Sequence, residues 1–158
     1  MKWCVAILLC ASAGLAQDQP NAARSRYRQQ GAEALTKERA RSKANLCADA
    51  EKGGNSIIGQ CLVDQGKVTE QDYLIYIRSI GALLRLGSGT ASTPLPPERL
   101  PFDLAEEAWQ RYRDKSCISM ATQWEGGDQA PAAYSDCRLE LTWNHMNELA
   151  DLYADLWH

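Results

Sequence analysis

Apolar positions recur at three- and four-residue steps through most of this chain, and the steps divide it into helices. The clearest run holds Tyr73, Leu74, Ile77, Ile80, Leu83 and Leu84 on one continuous face, the spacing of an amphipathic helix. Thr69 with Asp72 three residues on has the capping-box pattern of a helix start, and Gly87 is placed to end the helix. Just before it, LCADAEKGGNSIIGQCL (46–62) breaks at Gly53-Gly54. Ser56 can then cap a helix whose buried side holds Ile57, Ile58, Cys61 and Leu62. Farther on, DLAEEAWQRYRDKSC (103–117) opens on Asp103, with Glu106 where a reciprocal cap would stand. Ala105, Trp109, Tyr112, Ser116 and Met120 recur at helical spacing, so an aromatic wall is expected there. Arg111, Arg113, Asp114 and Lys115 surround it with charge. After Gly126-Gly127 a last helix begins near Pro131, a favoured first-turn residue. Its stripe is Tyr134, Cys137, Leu141, His145, Leu149, Leu152 and Leu156. No alternating strand pattern stands out. The pattern predicts an all-α protein, a small helical bundle stapled by two disulfides.

Two stretches depart from that pattern. Residues 18–43 are rich in Ala, Gln, Arg and Glu, which favour helix, but offer few large apolar side chains. Seven basic residues against three acidic give this segment +4, and it reads as a solvated helix fraying toward its N-terminus. Residues 88–101, SGTASTPLPPERLP, have the composition of a linker, loosened by Ser, Thr and Gly and stiffened by four prolines. Its length suits a crossover between helical pairs.

Composition changes the picture in kind. The 158 residues are 45% apolar, which is ordinary for a single globular domain, but five Trp and six Tyr stand against one Phe. Such aromatics bury a ring while a polar handle reaches the rim. The first sixteen residues, MKWCVAILLCASAGLA, have the lysine, apolar run and small residues of a secretory leader. The run is shorter than the roughly 20 residues that span a bilayer, so no stable membrane insertion is expected after cleavage. The expected organisation is a leader over 1–16, a polar basic helical segment over 17–43 and a disulfide-stapled helical domain over 44–158. The expected destination is periplasmic or secreted.

Removal of the leader leaves Cys47, Cys61, Cys117 and Cys137. Four cysteines in an exported chain imply disulfides, with three possible pairings. Cys47–Cys61 and Cys117–Cys137 are favoured, because each pair brackets one short connection between helical patterns. Zinc would want C-x-x-C spacing or more histidines than His145 and His158, and a C-x-x-C-H haem site is absent. No cofactor is expected. The basic segment lacks the interleaved aromatics of a nucleic-acid arm, so no nucleic-acid partner is expected. No nucleophile–base pair or acid–base dyad follows from any spacing, and an enzyme is not expected.

The segment from Leu100 to about Leu152 resembles the LprI-type lysozyme-inhibitor N-terminal domain family. The marks are AWQRYRDKSC (108–117), EGGDQAPAAYSDC (125–137) and the LELT that follows with Leu149. The half before it, with CADAEKGGNSIIGQCL (47–62) and DYLIYIRSIGALL (72–84), is similar in layout but weaker. His145 stands where members of the family usually carry an arginine. The resemblance implies an exported helical domain with paired cysteines that blocks a muramidase by occupying its cleft. A basic lysozyme is the implied partner, and from Glu98 onward twelve acidic residues against five basic give −7. A cell-envelope structural or interaction domain with another partner is the alternative.

Glu106, Glu107, Arg113 and Asp114 form the candidate binding face. A structural ion pair near the staple is the other role open to Arg113 and Asp114, each pairing across helices rather than with the other. Trp109, Tyr112 and His145 are assigned to the structural core, Trp109 and Tyr112 by their shared phase and His145 by its place on the last stripe.

Overall fold

The computed structural model describes residues 15–87, 100–124, 127 and 129–158. Four α-helices carry them: α1 (Leu15–Arg41), α2 (Asn55–Leu86), α3 (Pro101–Ala121) and α4 (Ala130–Leu152). Short 3-10 turns stand at Ala50–Gly53, Thr122–Trp124 and Ala154–Trp157. No strand occurs among the described residues, and the chain is all-α as expected. Both expected disulfides are formed, Cys47–Cys61 and Cys117–Cys137, with Cα atoms 6.0 and 5.5 Å apart. Most of the expected leader and of the expected 88–101 linker lies outside the described residues.

Helix α2 is the spine, packed against both α1 and α4. Gly54 at φ 86° turns the chain into it, and Gly87 at φ 67° ends it with its N–H on the Leu84 carbonyl. Both angles are natural to glycine alone. Between these glycines the helix runs unbroken for 32 residues, so the restart expected at Thr69 does not occur. The two polar residues that suggested it face α1 instead. Thr69 donates to Glu38 Oε2 at 2.7 Å, and Asp72 pairs with Lys37 at 2.8 Å. Ser56 lies inside the first turn and makes no cap bond.

The expected solvated helix is docked, and polar groups dock it. Glu38, 1% exposed, accepts hydrogen bonds from Thr69 and from Trp143 Nε1 and pairs with Arg41 at 2.8 Å. Arg28 donates to the Leu156 carbonyl at 2.8 Å and Arg39 to Asn147 at 2.8 Å. Buried Gly31 admits the Trp157 ring so closely that a Cβ there would stand 2.5 Å from it.

The apolar centre gathers Tyr73, Tyr76 and Ile80 of α2 with Ala34, Leu100, Phe102, Met146 and Leu149. Helix α4 opens with Pro131 in its first turn, as expected, but its stripe is differently placed. Two seams share the helix: Met146 and Leu149 join the α2 cluster, while Cys137 and His145 turn toward α3. Leu152, read as core, is 75% exposed.

Helix α3 begins at Pro101, two residues before the predicted cap. Asp103 caps from inside, accepting the Leu100 N–H at 3.0 Å, and pairs with Arg85 of α2. The buried face is Phe102, Glu106, Arg113 and Cys117. Tyr112, assigned to the core, is 61% exposed, and Met120 is exposed as well. Cys117 fixes the phase, since it must meet Cys137, and Tyr112 stands about 140° around the helix from it.

Two substitutions separate the polar dock from the misplaced stripe. Glu38→Ala strands Thr69, Trp143 and Arg41 and should cost about 3–5 kcal/mol in urea unfolding. Leu152→Ala should stay within about 0.5 kcal/mol. Equal costs for the two would contradict this packing.

Candidate functional site

The richest set of functional side chains lies where α2, α3 and α4 meet. Arg113 of α3 is 1% exposed, and its guanidinium meets Glu70 of α2 through both terminal nitrogens, at 2.8 and 3.3 Å. It also donates to Thr142 of α4 at 3.1 Å and, through Nε, to Asp114 at 3.1 Å. Sequence neighbours were not expected to pair, but the Arg113 side chain is long enough to present Nε to its neighbour while its fork crosses to α2. Arg138 of α4 adds a second cation, 3.2 Å from Glu70 and 3.3 Å from Asp114. The Arg113 guanidinium also lies over the rings of Trp109 and Tyr73, 5.2 and 5.7 Å from their centres. Burial works against its charge, but the bonds and charge of Glu70, helped by Asp114, outweigh burial and raise its pKa.

One turn toward the start of α3 stands a second cluster. The Tyr73 hydroxyl donates to Glu106 Oε2 at 2.8 Å, and His145 Nε2 lies 3.1 Å from both Glu106 oxygens. The Trp109 and His145 rings stack, with centres 3.8 Å apart and planes 10° from parallel. Burial, and then the Glu106 carboxylate, push the Tyr73 hydroxyl well above the ordinary tyrosine range.

The four residues of the expected binding face do not form one. Glu106 and Arg113 are 4% and 1% exposed and serve the interior. Their burial follows from sharing the Cys117 side of the helix. Asp114 is half-buried and held between Arg113 and Arg138, while Glu107 is half-buried beside a groove of about 500 Å³ whose floor includes Phe102. Trp109 is half-buried against the apolar cluster and His145 is buried. Glu70, Arg138 and Thr142 were missed altogether. A signal for Arg113 was present: it lies four residues from both Trp109 and Cys117.

What α3 and α4 show to solvent is different. Leu104, Tyr112 and Ile118 are 50%, 61% and 55% exposed along the outer side of α3, with Arg111 and Lys115 exposed among them. The outer side of α4 carries exposed Asp136, Glu140 and Asp151, and exposed Asp155 follows in the Ala154–Trp157 turn. None of these six charged groups meets an opposite charge among the described residues. A separate groove of about 490 Å³ opens between α2 and α4, bordered by Val63, Lys67, Pro131, Tyr134 and Arg138. No metal-holding cluster of His, Cys, Asp or Glu occurs among the described residues, and no described helix is long and apolar enough to cross a membrane.

The stapled pair α3–α4, with Trp109, Arg113 and Cys117 turned inward, is the part of the chain that carries a family signature. Residues 88–149 match the family model of the lysozyme inhibitor LprI. The resemblance read from AWQRYRDKSC and the following Cys137 is thereby borne out. No curated protein and no solved structure matches the chain. The LprI match contains Arg113, Asp114, Arg138, Thr142 and both residues of the second disulfide. It leaves out α1 and α2, and therefore Glu70 and Tyr73, the α2 partners of its two buried clusters.

Tyr73 generates a pH prediction. Its hydroxyl keeps its proton in the folded chain at a pH where the unfolded tyrosine, near 10, loses it. The stability this contributes is whole below about pH 10 and declines above it, by up to about 1.4 kcal/mol per pH unit for one proton. Tyr73→Phe should flatten the alkaline limb of stability against pH by one proton. An unchanged slope, or a Tyr73 absorbance titration near pH 10, would contradict the burial of that hydroxyl against Glu106.

Proposed function

We propose that the protein is an exported, non-catalytic binding module that inhibits a basic lysozyme-type muramidase by protein–protein contact. The match of residues 88–149 to the lysozyme inhibitor LprI family carries this reading. Export is supported by the leader-like start and by two disulfides, which persist in oxidising compartments. A non-catalytic role is supported by the placement of the titratable groups. Glu106, His145 and Tyr73 are turned on one another in the interior, and Glu70 and Asp114 are engaged by two arginines.

The charge distribution supports a basic partner and moves the steering groups. Glu106 is too deeply buried to serve, whereas Asp136, Glu140 and Asp151 on α4, and Asp155 in the turn after it, stand exposed without a cation among the described residues. Uncompensated acidic groups raise the potential a basic partner feels during approach, and so act on association more than on residence time. A second reading is a cell-envelope interaction domain with another partner. It is favoured by the confinement of the LprI match to the α3–α4 half.

Mature protein added to a lysozyme turbidity assay should inhibit cell-wall clearing. Raising ionic strength from about 0.01 to 0.15 M shortens the screening length from about 30 to 8 Å, so the on-rate should fall several-fold and the off-rate little. Changing Asp136, Glu140, Asp151 and Asp155 to their amides should reproduce that fall at low salt. Folded protein that inhibits at neither salt would remove the lysozyme reading and leave the envelope domain.

A further inference from the structure

Helices α3 and α4 leave unlike faces without partners. On α3, Leu104, Tyr112 and Ile118 expose half or more of their surface. Arg111 and Lys115 stand within this stripe and meet no carboxylate among the described residues. The nearby acid Asp114 is already held by Arg113 and Arg138. On α4, Asp136 and Glu140 are exposed and meet no cation among the described residues, while Arg138 between them is turned to Glu70 and Asp114. Stability within one chain explains neither face, because the apolar side chains are hydrated and the charges are uncompensated.

The spacing of the two charge pairs matches. Arg111 and Lys115 are four residues apart, one turn of helix, and so are Asp136 and Glu140. An α3 laid alongside an α4 therefore brings both cations opposite both acids in a single register. Within one chain this cannot happen, because α3 and α4 already meet through Phe102, Glu106, Arg113 and Cys117 on the other side. It can happen between two copies. A two-fold axis makes the contact reciprocal, with α3 of each copy on α4 of its partner.

We propose that the outer face of α3 docks on the outer face of α4 in a second copy of this chain, forming a two-fold dimer. Apolar contact from Leu104, Tyr112 and Ile118 supplies the affinity, and the Arg111, Lys115, Asp136 and Glu140 pairs fix the register. An anionic membrane is the poorer occupant of the same stripe, because the half of the chain that carries it has a charge of −7. The dimer does not depend on the lysozyme reading. It does cover Asp136 and Glu140, so association of copies and binding of a basic partner compete for the same acids.

Sedimentation of the purified chain alone, over a concentration series at about 0.02 M salt, tests the proposal without any lysozyme. A monomer–dimer equilibrium is expected, weakened at about 0.5 M salt as the pairs are screened. Arg111→Glu with Lys115→Glu should weaken it by about tenfold or more, and Asp136→Lys with Glu140→Lys equally, since like charges then face each other. Mixing the two reversed proteins should restore association as a heterodimer. All four positions are exposed, and unchanged circular-dichroism melts confirm that each variant folds. A chain monomeric at every concentration, a dimer indifferent to both reversals, or a mixture that stays monomeric would each overturn it.

Discussion

A guanidinium with almost no access to water decides how this bundle is assembled. Burying the charge of Arg113 would be prohibitive unless nearly all its donors found acceptors, and here Glu70, Thr142 and Asp114 provide them. Those acceptors lie on three helices, so satisfying one side chain places α3 relative to α2 and α4 together. Once Arg113 points inward, Phe102, Glu106 and Cys117 point inward with it. The cystine to Cys137 then closes on the same side. Leu104, Tyr112 and Ile118 are left outside by the same rotation, and the proposed dimer begins from that exposure.

The outer helices follow one rule. Between α2 and α4 the contact is largely apolar, built on Tyr73, Tyr76, Ile80, Met146 and Leu149. Helix α1 is held mostly by Glu38, Lys37, Arg28 and Arg39, and α3 reaches α2 through Arg113, Glu106 and Asp103. Buried charge at these joints is directional, as packed hydrocarbon is not. That is the physical basis for a fixed set of outward faces, one apolar and basic and one acidic.

That division explains what the sequence could and could not reveal. Hydrophobic periodicity located α2, its closing Gly87 and the opening of α4, because those helices are sorted by water. It misphased α3 and called α1 solvated, because both dock through charged groups that a hydrophobic pattern assigns to the surface. Tyr112 drew the core assignment from its helical phase with Trp109, yet Arg113 beside it is the buried residue. The cysteine spacing was more informative, giving both disulfides, and the phase of Cys117 would have given the α3 face as well. The Thr69 and Asp72 pattern misled for the same reason as α1: polar residues that usually cap helices here receive a neighbouring one. Of the candidate site, the motif around Arg113 was legible, but Glu70, Arg138 and Thr142 belong to other helices, and no local pattern joins them.

The coupling between Arg113 and Glu70 is the quantity on which this account turns. A double-mutant cycle in urea, with Arg113→Met, Glu70→Gln and the pair together, isolates it from the packing each side chain makes separately. If the buried ion pair holds α3 in place, the two changes should be non-additive by about 1–3 kcal/mol. Additive costs, within about 0.3 kcal/mol, would mean that α3 is positioned without this pair and that its outward faces have another cause.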